Sequence, residues 1–188
     1  MKKNLVLLLV FLFMATNHTV AVANEEIKGA FGMTLGDVLP EEDSRVTEAE
    51  RFSRDSGLRY AFDADHPFGA LDGYHVLVTP QTRIIYRIIA EGKFRSASRC
   101  EEELLALQEV LETKYGPHDD NVADSMVRAM PGMRVIRFGN VPRRIVATCV
   151  GFMDDHNLSL NYFADDLEER AKAERARLGE GNYQGLGL

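Results

Sequence analysis

Between residues 58 and 91 the apolar positions recur at every second residue. Leu58, Tyr60 and Phe62 alternate with Arg59 and Ala61, and Tyr74, Val76 and Val78 alternate with His75, Leu77 and Thr79. After the turn "TPQTR", Ile84, Tyr86 and Ile88 alternate with Ile85, Arg87 and Ile89. A period of two is the mark of strands. Residues 73–91 therefore read as a β-hairpin with two fairly apolar faces, at least one of which needs a helix over it. The period then changes. In "SASRCEEELLALQEVLETKYGP", residues 96–117, Cys100, Leu104, Leu107 and Leu111 fall on one helical stripe widened by Val110 and Tyr115. Glu102, Glu109, Glu112 and Lys114 occupy the other side. Ser98 and Glu101 have capping-box spacing, and Gly116-Pro117 supplies the stop.

Beyond a polar loop, "MRVIRF", "RRIVATCVGFM" and "LSLNYF" read as three successive antiparallel strands, with Gly139–Pro142 and Asp154–Asn157 as their turns. "DDLEERAKAERARL" predicts a charged helix with few apolar anchors, and "GEGNYQGLGL" a flexible tail. The early part is mixed. Ile27–Phe31 suggests a short strand, "GMTLGDVLP" a helical turn capped by Thr34 with Asp37 three residues on, and "EEDSRVTEAE" an exposed loop. Strands, helix, strands, helix is the order of an α+β domain. The expected fold is an antiparallel sheet of about five to six strands packed by one long helix, with a charged C-terminal helix. Residues 24–178 form the single domain, and 179–188 the tail.

The first 23 residues stand apart. Lys2 and Lys3 precede an apolar run from Leu5 to Ala15, and Ala21-Val22-Ala23 supplies an A-x-A cleavage site. That is a signal peptide, cleaved after Ala23, and its apolar run is too short for the ~20 residues of a membrane span. The expected address is the periplasm or the medium. The 188-residue chain has 22 basic and 29 acidic residues. Removing the two lysines leaves 20 against 29, a net charge of −9. Such a balance argues against nucleic acid and anionic membrane as partners.

Two cysteines bear on function. Cys100 opens the helix, where the N-terminus stabilises a thiolate and would suit a nucleophile. Cys149 sits in the middle of a predicted strand. A pair of cysteines in an exported chain most simply forms a bridge, and the helix stripe aims Cys100 at the sheet that carries Cys149. A reactive thiol and two inert buried thiols are the alternatives. The bridge reading turns Cys100 from catalyst into scaffold.

Other constellations are sparse. Aspartate and histidine cluster at Asp63–His66, His118–Asp120 and Asp154–His156. His66, His118 and His156 are thus candidate metal ligands, although aspartate in predicted turns serves its own backbone. Arg83, Arg87, Lys93, Arg95 and Arg99 run from the hairpin to the helix start, and Arg134, Arg137, Arg143 and Arg144 decorate the later hairpin. Solvated strand faces explain them; a basic face of Arg83, Arg87, Arg95 and Arg99 beside a helix N-terminus, binding an anion or acidic partner, is the sharper reading. No nucleophile elbow, phosphate loop or dinucleotide fingerprint occurs. No cofactor is called for.

"FGMTLGD", "YHVLVTPQTRIIYRIIAEG", "CEEELLALQEVLETKYG" and "IVATCV" followed by "LSLNYFADDLEERA" together resemble a set of uncharacterised bacterial exported proteins. Those share a strand–TPxT–IY–strand hairpin, a Cys-opened helix ending in KYG, and a second Cys in a later strand. The resemblance implies a Cys100–Cys149 pair and a periplasmic address, and no activity. Two functions are therefore expected to compete. One is a non-enzymatic accessory module binding an envelope protein or a small ligand. The other is a small hydrolase or metal-dependent enzyme assembled from dispersed residues such as the three histidines. A deep pocket of converging titratable groups would mark the enzyme; a flat or grooved face with exposed apolar residues would mark the module.

Overall fold

The computed structural model describes residues 25–50, 57–119 and 133–184, with backbone alone for 48–50 and 180–184. The expected signal segment and Asp120 lie outside the described residues. Among the described residues nine strands and two helices follow one another: β1 Gly29–Ala30, β2 Met33–Thr34, β3 Val46–Glu50, β4 Leu58–Phe62, β5 Gly73–Val78, β6 Ile85–Phe94, α1 Ala97–Tyr115, β7 Arg134–Asn140, β8 Arg143–Phe152, β9 Asp155–Ala164 and α2 Asp165–Gln184. β1 and β2 make a minimal hairpin; the other seven strands form one antiparallel sheet in the order β3-β4-β5-β6-β9-β8-β7. The fold is α+β.

The order follows from two meanders placed side by side. β3 to β6 is the first, and β7 to β9 the second. The 19-residue α1 crosses between them and lets β9 pair with β6 along eight register positions, from Arg87↔Phe163 to Phe94↔His156. One face of the sheet then presents Val76, Val78, Ile88, Ala90, Ile136, Phe138, Ile145, Ala147, Leu158 and Leu160, all buried. α1 closes that face with Cys100, Leu104, Leu107, Leu111 and Tyr115, the stripe expected from its period. Each Val, Leu, Ile or Phe among them contributes about 1.5–3 kcal/mol when fully buried.

Several local expectations are corrected. The helix starts two residues early: Ser96, extended at φ −140°, accepts a hydrogen bond from the Arg99 N–H, so Ser96 rather than Ser98 is the cap. Val110 does not widen the stripe; it is 54% exposed. "GMTLGDVLP" is not helical. Gly36 turns at φ +96°, and Val38 bridges to Ile84, which leaves Met33, Leu35 and Leu39 buried as a flap on the core. "EEDSRVTEAE" is a loop only as far as Arg45. Val46–Glu50 is the edge strand β3, and its acidic residues are how edge strands discourage further pairing. β3 brings the sheet to seven strands rather than five or six. The β8–β9 turn is Met153-Asp154, and Asp155–Asn157 already belong to β9. The C-terminal helix is as long as α1 and continues past residue 178 to Gln184, into the stretch expected to be a tail.

Candidate binding face

Cys100 and Cys149 are joined, with Cα atoms 5.9 Å apart and both side chains buried. The bond ties the first turn of α1 to the centre of β8. It also fixes which way β8 faces. Alternation along a strand sends successive side chains to opposite sides, so if Cys149 points at α1, then Arg144, Val146, Thr148, Val150 and Phe152 point away.

On that far side the register assembles a second surface. Arg87, Phe163 and Arg144 lie in one row, Ile89, Asn161, Val146 and Arg137 in the next, and Glu91, Ser159, Thr148 and Val135 in a third. α2 covers only its margin. Leu167 and Ala171 pack on Leu77, Tyr86 and Ile89. Glu174, 3% exposed, accepts hydrogen bonds from the N–H groups of Gln81 and Thr82 at 2.9 and 3.2 Å, from Thr82 Oγ1 at 2.7 Å and from Arg170 at 3.1 Å. Burial opposes its charge, but these donors outweigh burial and hold its carboxyl below the usual range. α2 is thereby latched to the β5–β6 turn and leaves β7–β8 uncovered among the described residues.

The uncovered part is neither a core nor an ordinary solvated face. Phe163 is clasped by two guanidinium groups, Arg144 at 3.9 Å and Arg87 at 4.5 Å from the ring centre. Arg87 is itself aimed by Asn161 Oδ1, at 3.1 and 2.9 Å, and Asn161 donates to Ser159 Oγ at 2.7 Å. Arg144 is held bidentately by Asp165 at the start of α2. Arg59 pairs with Glu91 at 3.5 Å. Toward the hairpin tip the surface turns apolar: Val150 is 40% exposed, Phe152 75% and Met153 77%. Met153 is left-handed at φ +55°, a conformation disfavoured for its side chain, and the His156 ring bonds its carbonyl at 2.7 Å. An apolar tip is thus held out on a fixed turn.

The residues singled out from sequence are dispersed. Of the proposed basic face of Arg83, Arg87, Arg95 and Arg99, only Arg87 reaches this surface; Lys93, Arg137 and Arg144, also noted in the sequence, lie on it as well. Arg83 is turned to the carbonyls of Leu39 and Pro40 and to the Tyr60 ring, Arg95 is exposed after β6, and Arg99 pairs with Glu102 and Glu103 on α1. His66 is exposed between β4 and β5, His156 is buried under the β8–β9 turn, and His118 follows α1. Among the described residues no group of three His, Cys, Asp or Glu side chains gathers to hold a metal.

His118 does take part in a small constellation. Its Nδ1 lies 2.6 Å from Glu112 Oε1, which also accepts from Gln108 Nε2 at 2.8 Å. Gln108 and then His118 hold the Glu112 carboxyl below its usual range. Gln108 and His118 line a cleft of about 240 Å³ between α1 and β7, with Leu104, Leu105, Ile136 and Arg134.

Sequence reasoning missed Arg59, Phe152 and Phe163 as members of one surface. The signal was present in part: once Cys149 is assigned to the α1 side, the even-numbered residues of β8 must face away. The pairing of β9 with β6, which brings Arg87 to Phe163, has no local signature. No family model matches the chain, and no curated protein or solved structure does either. No described helix is long and apolar enough to cross a membrane.

Proposed function

We propose that the protein is an exported, non-enzymatic binding module that engages an envelope protein or small ligand through the uncovered face of its sheet. The observation that carries this reading is the difference between the two faces. One is sealed by α1 and stapled by a disulfide; the other combines the exposed Val150, Phe152 and Met153 with arginines fixed in place by Asn161 and Asp165. Exposed apolar groups framed by positioned polar ones are the composition of interaction surfaces. The disulfide, the A-x-A segment and the resemblance to exported proteins support the address.

The test is a photo-activated cross-linking side chain placed at Thr148, on this face, or at Glu109, on the outer side of α1, in the native cell. Adducts from position 148 and none from 109 are expected. No adduct from 148, or equal yields from both, would overturn the reading.

The second reading, a small hydrolase, has one observation in its favour: an imidazole oriented by a carboxylate and lining a cleft is the arrangement of a general base. A His118-dependent turnover of simple ester or phosphoester substrates, abolished in His118→Gln, would establish it.

A further inference from the structure

Resting on the docking face just proposed, we infer that its occupant is an acidic polypeptide segment of another protein, carrying apolar side chains among its carboxylates. From β4 to β9 the face presents Arg59, Arg87, Lys93, Arg137 and Arg144 against Asp155, Glu91, which pairs with Arg59, and Asp165, which holds Arg144. The chain as a whole has the opposite balance, with 29 acidic and 22 basic residues. Basic residues outnumber acidic ones on this face, which among the described residues α2 covers only at its margin, and a local potential of that sign draws a partner of the other. An apolar spine, Val146, Val150 and Phe152, runs along β8 through the middle of this charge, with Arg137 beside Val146 and Arg144 at its far end. A purely ionic ligand would leave the spine wet, and a purely apolar one would give Lys93 and Arg137 no counter-charge.

One buried polar atom sharpens the chemistry. Arg137 Nε, on this face, has no hydrogen-bond partner among the described residues. The guanidinium of Arg137 asks for an acceptor, and a carboxylate matches its fork best. A second copy of this chain laid face to face would set arginines against arginines. Like charges across an interface exclude partners.

The experiment uses the purified chain with its disulfide intact and a fluorescent peptide of about ten residues alternating glutamate with valine and phenylalanine. At ~3.3 Å per residue such a peptide spans the length of β8. Its counterpart has lysine for every glutamate. Fluorescence anisotropy should show saturable binding of the acidic peptide, at least about tenfold tighter than the lysine counterpart, and several-fold weakening between ~50 and ~300 mM salt. Arg137→Glu and Phe152→Ser should each weaken binding by about tenfold, with melting temperatures close to the wild type. Equal binding of the two peptides, no binding of either, or indifference to Arg137→Glu would overturn the inference. So would a dimer by sedimentation that Arg137→Glu dissociates, because the face would then belong to a second copy. If the acidic peptide is not preferred while cross-linking from Thr148 still yields adducts, the acidic occupant fails and the docking face stands. If cross-linking fails too, both fall.

Discussion

Breaking the Cys100–Cys149 bond should cost this domain a large part of its stability. The two residues are separated by 49 positions along the chain. In the chain-entropy account, a cross-link closing a loop of that length removes about 4 kcal/mol of freedom from the unfolded chain. Typical net stabilities are only about 5–15 kcal/mol, so the loss is a substantial fraction of the whole. The native side of the ledger points the same way. Both cysteines are buried within 1% exposure, and they join α1 to β8 at the heart of the main cluster. For a domain of this size about 4 kcal/mol corresponds to a drop in Tm of roughly 8–16 °C. The assay compares thermal and urea unfolding of the oxidised protein with the dithiol form held under reductant. Cys100→Ala/Cys149→Ala serves as a chemically independent check. Because the effect acts on the unfolded state, the secondary structure of the reduced form below its transition should match that of the oxidised form. Midpoints that coincide within about 1 kcal/mol, by either route, would refute the loop argument.

Glu174→Gln should cost about 2 kcal/mol at neutral pH, since a buried carboxylate with four donors is replaced by a neutral amide. The folded carboxyl titrates below its unfolded value of 4.5, so its contribution is complete above that pH and fades as pH falls through the folded value. The urea-midpoint gap between wild type and variant should therefore shrink between about pH 6 and about pH 3; a constant gap would contradict the assignment. Gly92→Ala should destabilise by about 3 kcal/mol, because the new Cβ would fall 2.1 Å from the Ala70 carbonyl oxygen, whereas Gly69→Ala, with nothing within 4 Å, should change stability by less than ~0.5 kcal/mol. Urea unfolding of the pair checks this. Phe163→Ala removes the ring between Arg87 and Arg144 and should cost about 2 kcal/mol by the same assay; an unchanged midpoint would show that the clasp contributes nothing.

What could be read from sequence divides along physical lines. Where burial imposes a period, as in the β5–β6 hairpin and the α1 stripe, the pattern of residues alone placed the element, and for α1 its buried side too, Val110 apart. β3 was invisible for the opposite reason: an edge strand guarded by acidic residues has the composition of a loop. The flap around Gly36 is ambiguous in sequence because capping residues and tight-turn residues are the same types; Gly36 itself argues against a helix, and its φ of +96° decides for the turn. The binding face was half legible. Its β8 part follows from Cys149 by alternation. Its union with Arg59 and Arg87 depends on β9 docking beside β6, a pairing between residues 74 positions apart in the case of Arg87 and Asn161. Local periodicity carries no record of such distances.

If the protein is a binding module, its uncovered sheet face is occupied where it works. Met153 and Phe152 are oxidisable and largely exposed, while Met33 is 3% exposed in the core. Hydroxyl-radical footprinting, read by mass spectrometry, can compare the purified protein with the same protein in intact cells. Met153 and Phe152 should be oxidised several-fold more slowly in cells, with Val110 on the outer side of α1 labelled alike in both and Met33 protected in both. Equal oxidation of Met153 in the two settings would contradict the binding-module reading.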